Sequence, residues 1–251
     1  MPLKYIAGQM MFVRAETWPL KLIGVTPSLR PLKDLDETPF FIALTPAQAY
    51  DTLDNEPEKL ARIPRILIGG GAISKELEER LLKVCTGEAW SSYGMTETLS
   101  HIALRRIGER YYKPLEGVSL STDEEDCLIV DAPEICPERL HTNDRVELLS
   151  DGRFRVLGRR DNVVCSGGVK LQIEEIENKI VDSGLLKVNA FALTGIDDPR
   201  WGQALTLLTT TPIEMEELRK VLPSYECPKS IKIVKEIKLT ETGKIRRADM
   251  S

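Results

Sequence analysis

Histidine is almost missing from this chain: His101 and His141 are the only two among 251 residues. Histidine-rich metal centres and the H-E-x-x-H helix of zinc proteases are therefore excluded. The five cysteines (Cys85, Cys127, Cys136, Cys165, Cys227) are odd in number and scattered, and no C-x-x-C pair occurs. That pattern favours reduced thiols in a cytoplasmic protein over a disulfide framework or a zinc site. No run of 18 apolar residues is found, so no membrane span is expected. An excess of positive charge is also lacking. The formal net charge is −5, which gives no global attraction to nucleic acid or anionic lipid, so any anionic ligand needs local basic groups.

The composition is that of an ordinary globular protein, with 42% hydrophobic and 29% charged residues. The length suits one large domain or two small ones. The opening MPLKYIAGQMMFVRAE is apolar but broken by Lys4, Gln9 and Arg14, and no small-residue cleavage site follows. It reads as core rather than as a signal peptide.

Helix and strand signals alternate along the first half. TPAQAYDTLDNEPEKLARI offers Thr45 as N-cap and Pro46 at the first helical position, with Pro57 ending or kinking the helix. RILIGGGAISKELEERLLKVC reads as a short buried strand, a glycine turn, and an amphipathic helix capped by Ser74. RVELLSDGRFRVLGR is a hairpin around Asp151-Gly152. After Gly158 come a helix ended by Gly184, strands at VNAFALTG and ALTLLTT, and a helix whose capping box is Thr211 with Glu214. The strand KSIKIVKEI follows. The expected fold class is an α/β portion of mixed sheets with helices over 1–158, followed by a small α+β domain over 159–251.

Several stretches can carry chemistry, and each has a plainer alternative. Gly69, Gly70, Gly71 and Ala72 lie between strand and helix, where backbone N–H groups can receive an anion or simply form a tight turn. In SSYGMTETLS, the Tyr93 face can stack on a purine, Thr96 can donate to a phosphate oxygen, and Glu97 is a hard ligand for Mg2+. The alternative is a strand end with Tyr93 in the core and Glu97 solvated. Asp144 can grip a ribose diol or begin an Asx turn. Arg159 can bind ribose or phosphate oxygens or make an exposed ion pair. CSGGVK is a turn or a binding loop, and Lys244 is a solvated lysine or a mobile one near the C-terminus.

The order of ILIGGGAIS, SSYGMTETLSHIAL, HTNDRVEL, GRRDNVVCSGGVKLQIEEIE and LTETGKIRR resembles the successive core motifs of adenylate-forming enzymes, the acyl-CoA synthetases, luciferases and adenylation domains. MPLKYIAGQMMFVRA and TETLSHIAL look most like the o-succinylbenzoate–CoA ligase branch of menaquinone synthesis. The resemblance implies an ATP-dependent acid–CoA ligase that uses ATP, Mg2+ and coenzyme A. It places Tyr93 and Gly94 beside the adenine, with Gly69 to Ala72 lining the adenine and acyl pocket. Thr96 would meet the α-phosphate, Glu97 the Mg2+, and Asp144 with Arg159 the ribose. Asp161 would be the hinge, Ser166, Gly167 and Gly168 the CoA-side loop, and Lys244 the lysine that neutralises charge during adenylation.

Two departures from the family pattern stand out. No Ser/Thr/Gly-rich phosphate loop ending in Pro-Lys is found in this sequence, and Asn143 replaces the glycine of the usual Thr-Gly-Asp. The alternative reading is therefore a shortened nucleotide- or CoA-binding homologue. A fragment would also expose apolar surface, giving self-association through residues 1–45. A nicotinamide oxidoreductase is disfavoured, because G-x-G-x-x-G and its ribose-binding acid are absent.

Overall fold

The computed structural model describes residues 3, 5–239 and 245–247. Two compact units emerge. One comprises Met1–Ser121, Ile129–His141 and Leu148–Arg155, and the other comprises Thr122–Leu128, Thr142–Glu147 and Val156–Ser251.

Helix α1 (Ile6–Thr17) opens the first unit. Strand β1 (Phe41–Leu44), α2 (Pro46–Asn55), α3 (Pro57–Ala61), β2 (Arg65–Ile68), α4 (Lys75–Val84) and β3 (Glu88–Gly94) follow as strand–helix–strand units. Their chemistry explains their ends. Thr45 Oγ1 accepts from the Gln48 amide at 3.2 Å while Gln48 Oε1 accepts from the Thr45 amide at 3.0 Å, closing a capping box. Pro46 occupies the first turn of α2, and Pro57 starts α3 rather than continuing α2. Ser74 caps α4, accepting from the Leu77 amide at 3.2 Å.

Leu77 and Leu81, one helical turn apart, are buried against Leu44, Leu60, Ile63, Ile66 and Ile68. Strands β1, β2 and β3 are parallel, and β4 (His101–Arg106) and β5 (Lys113–Pro114) add antiparallel strands in the order β1-β2-β3-β4-β5. Ile68 pairs in register with Ser91. The glycine turn after β2 and the loop after β3 consequently leave the same edge, the carboxyl ends of adjacent parallel strands, where α/β sheets bind ligands.

Strands β6 (Ser119–Thr122), β7 (Cys127–Ala132), β8 (Cys136–Leu148) and β9 (Phe154–Arg159) form a four-stranded sheet in that order. The β8–β9 connection is the expected Asp151-Gly152 turn, with Gly152 at φ +83° and the Leu149 amide donating to Arg153 O at 2.8 Å.

A short 3-10 turn, Arg160–Asn162, leads into β10 (Val163–Ser166), β11 (Val169–Gln172), α5 (Ile173–Asp182), β12 (Phe191–Asp198), β13 (Gly202–Thr209), α6 (Met215–Val221) and β14 (Ser230–Ile233). Strands β12 and β13 pair antiparallel over eight residues and β14 runs parallel to β13. Ile173, Ile176 and Ile180 of α5 and Leu218 of α6 fill the core with Leu193, Leu205 and Leu207. Their 3- and 4-residue spacing is the amphipathic stripe that seats a helix on a sheet.

Two expectations are corrected. Helix α6 is capped by Glu214, whose capping box closes with Glu217, not by Thr211. Thr211 is occupied in the turn after β13: its amide donates to Thr209 Oγ1 at 3.1 Å and its carbonyl accepts from that hydroxyl at 2.8 Å. The N-terminal stretch forms a helix but not core. Gly8 is the buried residue of α1, and Phe12 and Val13 are exposed. Met10 to Val13 are consecutive, so their side chains spread around the helix instead of aligning in one stripe.

Candidate functional site

The sharp turn after β2 starts at Gly69, whose amide donates to Leu44 O at 3.0 Å. A Cβ on Gly69 would stand 2.3 Å from Ser92 Oγ, and Gly70 holds φ +80° with open space around it. Ser92 belongs to β3, so the turn is pressed against the strand that delivers the second motif. Tyr93, the last residue but one of that strand, stands in a three-ring cluster. Its ring meets Phe154 edge-on at 5.1 Å and Tyr112 at 6.0 Å, while Tyr112 stacks on Phe154. Such packing fixes a ring's orientation before any ligand arrives. At Gly94 the β3–β4 register shifts, and a Cβ would lie 2.3 Å from Ser100 O.

The loop beyond Gly94 is braced by Thr98, a buried residue that sequence reasoning passed over. Its hydroxyl accepts from the Met95 amide at 3.1 Å and donates to Ser100 O at 2.8 Å. With Thr98 turned inward, Thr96 and Glu97 are exposed. The T-x-T alternation around Thr96 was the available signal: in a tight loop one hydroxyl holds the backbone and the other faces out.

A second missed group lies beside this loop. Arg14 of α1 donates from Nη2 to Ser100 Oγ at 3.2 Å, lies 3.4 Å from His101 Nδ1, and sits 5.9 Å above the Phe41 ring. It is half-buried, and among the described residues no carboxylate pairs with it. Burial pulls the Arg14 pKa down, and burial followed by the neighbouring Arg14 charge pulls the His101 pKa down. A half-desolvated cation without a counter-ion is a receptor for an anion. Arg14 interrupting an apolar helix was the sequence signal.

In the second unit Asp144, Arg159 and Asp161 come together. Arg159 reaches Asp144 Oδ1 at 3.5 Å and donates to Asp161 Oδ2 at 2.9 Å. Asn143, the residue standing for glycine, joins the network: its Nδ2 donates to Asp161 at 3.1 Å and its Oδ1 accepts from Arg160 at 2.6 Å. The Asp161 bond, followed by the Asp144 charge, raises the Arg159 pKa. Asp144 thus stands beside a guanidinium within one charged cluster.

Ser166 ends β10, and Gly167 and Gly168 turn the hairpin with φ of +59° and +81°. A Cβ on Gly167 would stand 2.8 Å from the Trp201 ring, and its amide donates to Trp201 O at 2.9 Å. The Ser166 hydroxyl is buried without a hydrogen-bond partner. An orphaned hydroxyl under a two-glycine turn is compatible with a ligand bound along that loop. Lys244 lies outside the described residues.

Among the described residues no group of three or more His, Cys, Asp or Glu gathers to hold a metal. An all-protein cage is therefore not built. A single exposed carboxylate such as Glu97 fits a Mg2+ held chiefly by phosphate oxygens and water. No described helix is long and apolar enough to cross a membrane.

Residues 13–143 match the family described as AMP-binding enzyme. The 2-succinylbenzoate–CoA ligase of Listeria monocytogenes serovar 1/2a is 31% identical over 213 residues, covering 72% of this chain and 44% of that protein. A 4-chlorobenzoate–CoA ligase of Arthrobacter is 25% identical over 92% of this chain and 52% of its own length. Among solved structures, the Bacillus subtilis o-succinylbenzoate coenzyme A synthetase in complex with ATP and magnesium superposes with a TM-score of 0.81 at 20% identity, over 99% of this chain and 59% of that one. That likeness shows the fold. The chain spans about half the length of the curated relatives it matches. By motif order, fold and sequence match alike, it belongs to the AMP-binding enzyme family.

Proposed function

We propose that this chain carries the activity of an acid–CoA ligase whose acid is o-succinylbenzoate or a close dicarboxylate. The observation that carries the choice of acid is Arg14, a half-buried cation hydrogen-bonded to Ser100, beside His101, and without a carboxylate partner among the described residues. o-Succinylbenzoate has two carboxylates. One must be activated, and the other needs a counter-charge in the acyl pocket. A monocarboxylate such as benzoate or a fatty acid has no second charge to offer Arg14.

A carboxylate is a poor electrophile toward a thiol, so its oxygen attacks the α-phosphorus of ATP and pyrophosphate departs. The CoA sulfur then attacks the acyl carbonyl and AMP leaves, the thiol proton passing to solvent. In this reading Tyr93 takes the adenine, with Gly69 to Ala72 and Gly94 letting ligand and backbone approach closely. Thr96 donates to the α-phosphate, Asp144 with Arg159 takes the ribose hydroxyls, and Lys244 neutralises the developing negative charge. Bound through Glu97, Mg2+ supplies charge neutralisation on the phosphates. Asp161 is the hinge about which the C-terminal part, from 159 on, exchanges Lys244 for the Ser166–Gly168 loop between half-reactions.

The test is ATP–pyrophosphate exchange by the purified chain with Mg2+ and o-succinylbenzoate, benzoate or a fatty acid. Exchange is expected with o-succinylbenzoate, and Arg14→Gln is expected to raise its KM at least tenfold while leaving benzoate unaffected. Equal exchange with all three acids, or indifference to Arg14→Gln, would overturn the choice of acid. The second reading is a homologue that binds AMP or CoA without adenylating. Binding of AMP or CoA by a folded protein that exchanges with no acid would establish it.

A further inference from the structure

One ring nitrogen of His101 is committed and the other is not. Nδ1 lies 3.4 Å from Arg14 Nη2 and 3.2 Å from Ser100 Oγ. A guanidinium only donates, so Nδ1 accepts from Arg14 and carries no proton. Ser100 fits the same assignment. Its oxygen accepts from Arg14 Nη2 at 3.2 Å, which leaves its own proton free to turn toward Nδ1. The ring proton therefore sits on Nε2, because the partner of one imidazole nitrogen decides the state of the other. A ring protonated on both nitrogens would set one N–H against another beside an existing cation. Burial, and after it the Arg14 charge, act against that form and pull the His101 pKa down.

Nε2 has no hydrogen-bond partner among the described residues. The described buried side-chain atoms without a partner are Asp51 Oδ2, Glu56 Oε2 and Ser166 Oγ. Nε2–H is therefore an accessible donor, not a sealed one. The backbone of His101 is held in place: it opens β4 opposite Gly94, where a Cβ on Gly94 would stand 2.6 Å from His101 Cα. Arg14 is held in turn by the Phe41 ring, whose centroid is 5.9 Å from the guanidinium carbon. A brace between α1 and β4 needs only Nδ1. The open N–H, beside a cation that no described carboxylate pairs with, is left over for something else.

We propose that His101, fixed as its Nε2–H tautomer by Arg14 and Ser100, is a specificity-determining residue that donates to the same carboxylate Arg14 receives. This rests on the reading above, in which Arg14 meets the second carboxylate of the acid. A carboxylate has two oxygens, so one takes the guanidinium and the other the imidazole N–H. The neutral ring adds a hydrogen bond without adding a second positive charge to repel Arg14. An acid lacking the second carboxylate leaves both donors unused, and a site built to hydrogen-bond discriminates against such an analogue.

The chain holds two histidines, so ring-nitrogen NMR spectra of the full chain resolve them, and His141→Gln assigns the His101 signals. At pH 7 the parent should show Nε2 protonated and Nδ1 bare. Added o-succinylbenzoate should shift the Nε2 resonance, and benzoate should not. In ATP–pyrophosphate exchange, His101→Phe keeps a ring without a donor. It should raise the KM for o-succinylbenzoate at least tenfold, with kcat within twofold, and narrow the preference over benzoate by the same factor. His101→Gln, whose amide nitrogen can stand where Nε2 stood, should recover most of that loss. An Nδ1–H or doubly protonated ring, or an Nε2 that ignores bound o-succinylbenzoate, would overturn the assignment. So would a parental KM in His101→Phe beside an impaired Arg14→Gln, and either result leaves the Arg14 reading standing. A fall in kcat shared by both acids would show a merely structural ring and overturn it likewise. Indifference to Arg14→Gln would end that reading and this assignment with it. If His101→Phe does not fold, the spectra of the parent decide alone, and they need binding only.

Discussion

Gly94 shows how one hydrogen atom in place of a methyl group decides local geometry. Its Cα faces Ser100 O and His101 Cα at 2.3 and 2.6 Å from an added Cβ, and both are backbone atoms that cannot swing away. Gly94→Ala should destabilise the protein by about 1–3 kcal/mol. It should appear as a lower urea midpoint with unchanged slope, whereas a midpoint equal to the parent's would mean that the loop relaxes freely. His101 supplies a pH dependence. Its folded pKa is pulled below the usual value by burial and then by Arg14. Below the ordinary histidine pKa of about 6.5 the unfolded chain therefore holds more protons than the folded one, and stability rises with pH through that window. Thermal melts should weaken from pH 7 toward pH 5, and His101→Gln should flatten part of that slope. An identical slope in the variant would remove His101 as the source. Neither effect is visible in the sequence: the first arises where β3 pairs with β4, the second from burial and from Arg14 of α1.

Among elements, the β10–β11 hairpin carries the turn that was one of two readings open for CSGGVK. Two consecutive glycines announce a turn needing positive φ at both positions, and Gly167 and Gly168 adopt it. What the sequence could not show is Trp201, 34 positions away, whose ring lies where a Gly167 side chain would go. Gly167→Ala would add both a left-handed backbone strain and a ring contact, about 1–3 kcal/mol together. Gly168→Ala meets open space and should cost only the backbone part. A smaller loss for Gly167→Ala than for Gly168→Ala in chemical denaturation would contradict the ring contact. Helices α2 and α4 were legible for the same local reason, Thr45–Pro46 and Ser74 being capping chemistry that works within four residues. Helix α6 was misplaced because Thr211 had a competing local partner in Thr209, and a pattern search cannot rank two equally good turns.

For the whole molecule, the described residues between 5 and 45 present large apolar side chains to solvent. Phe12 is 51% exposed, Trp18 63% and Phe40 55%, and β1 is an edge strand of its sheet. Exposed aromatics, and a strand edge without a partner strand among the described residues, favour association. Sedimentation of the purified chain should show mass rising with concentration, and Phe12→Ser/Val13→Ser/Trp18→Ser should abolish the rise. A parent that stays monomeric throughout would refute it. The sequence by itself determined the family, the α/β class, the order of the motif loops and the starts of α2 and α4. All of these depend on residue identity within short windows or on motifs in fixed order. Only the tertiary structure decided that Arg14, Ser100 and His101 meet, that Asn143 links Asp161 to Arg160, and that Glu177 clasps Arg247. Those partners lie between 17 and 87 positions apart. Burial and charge pairing at such distances are set by how strands register and helices pack, and a linear pattern does not record that.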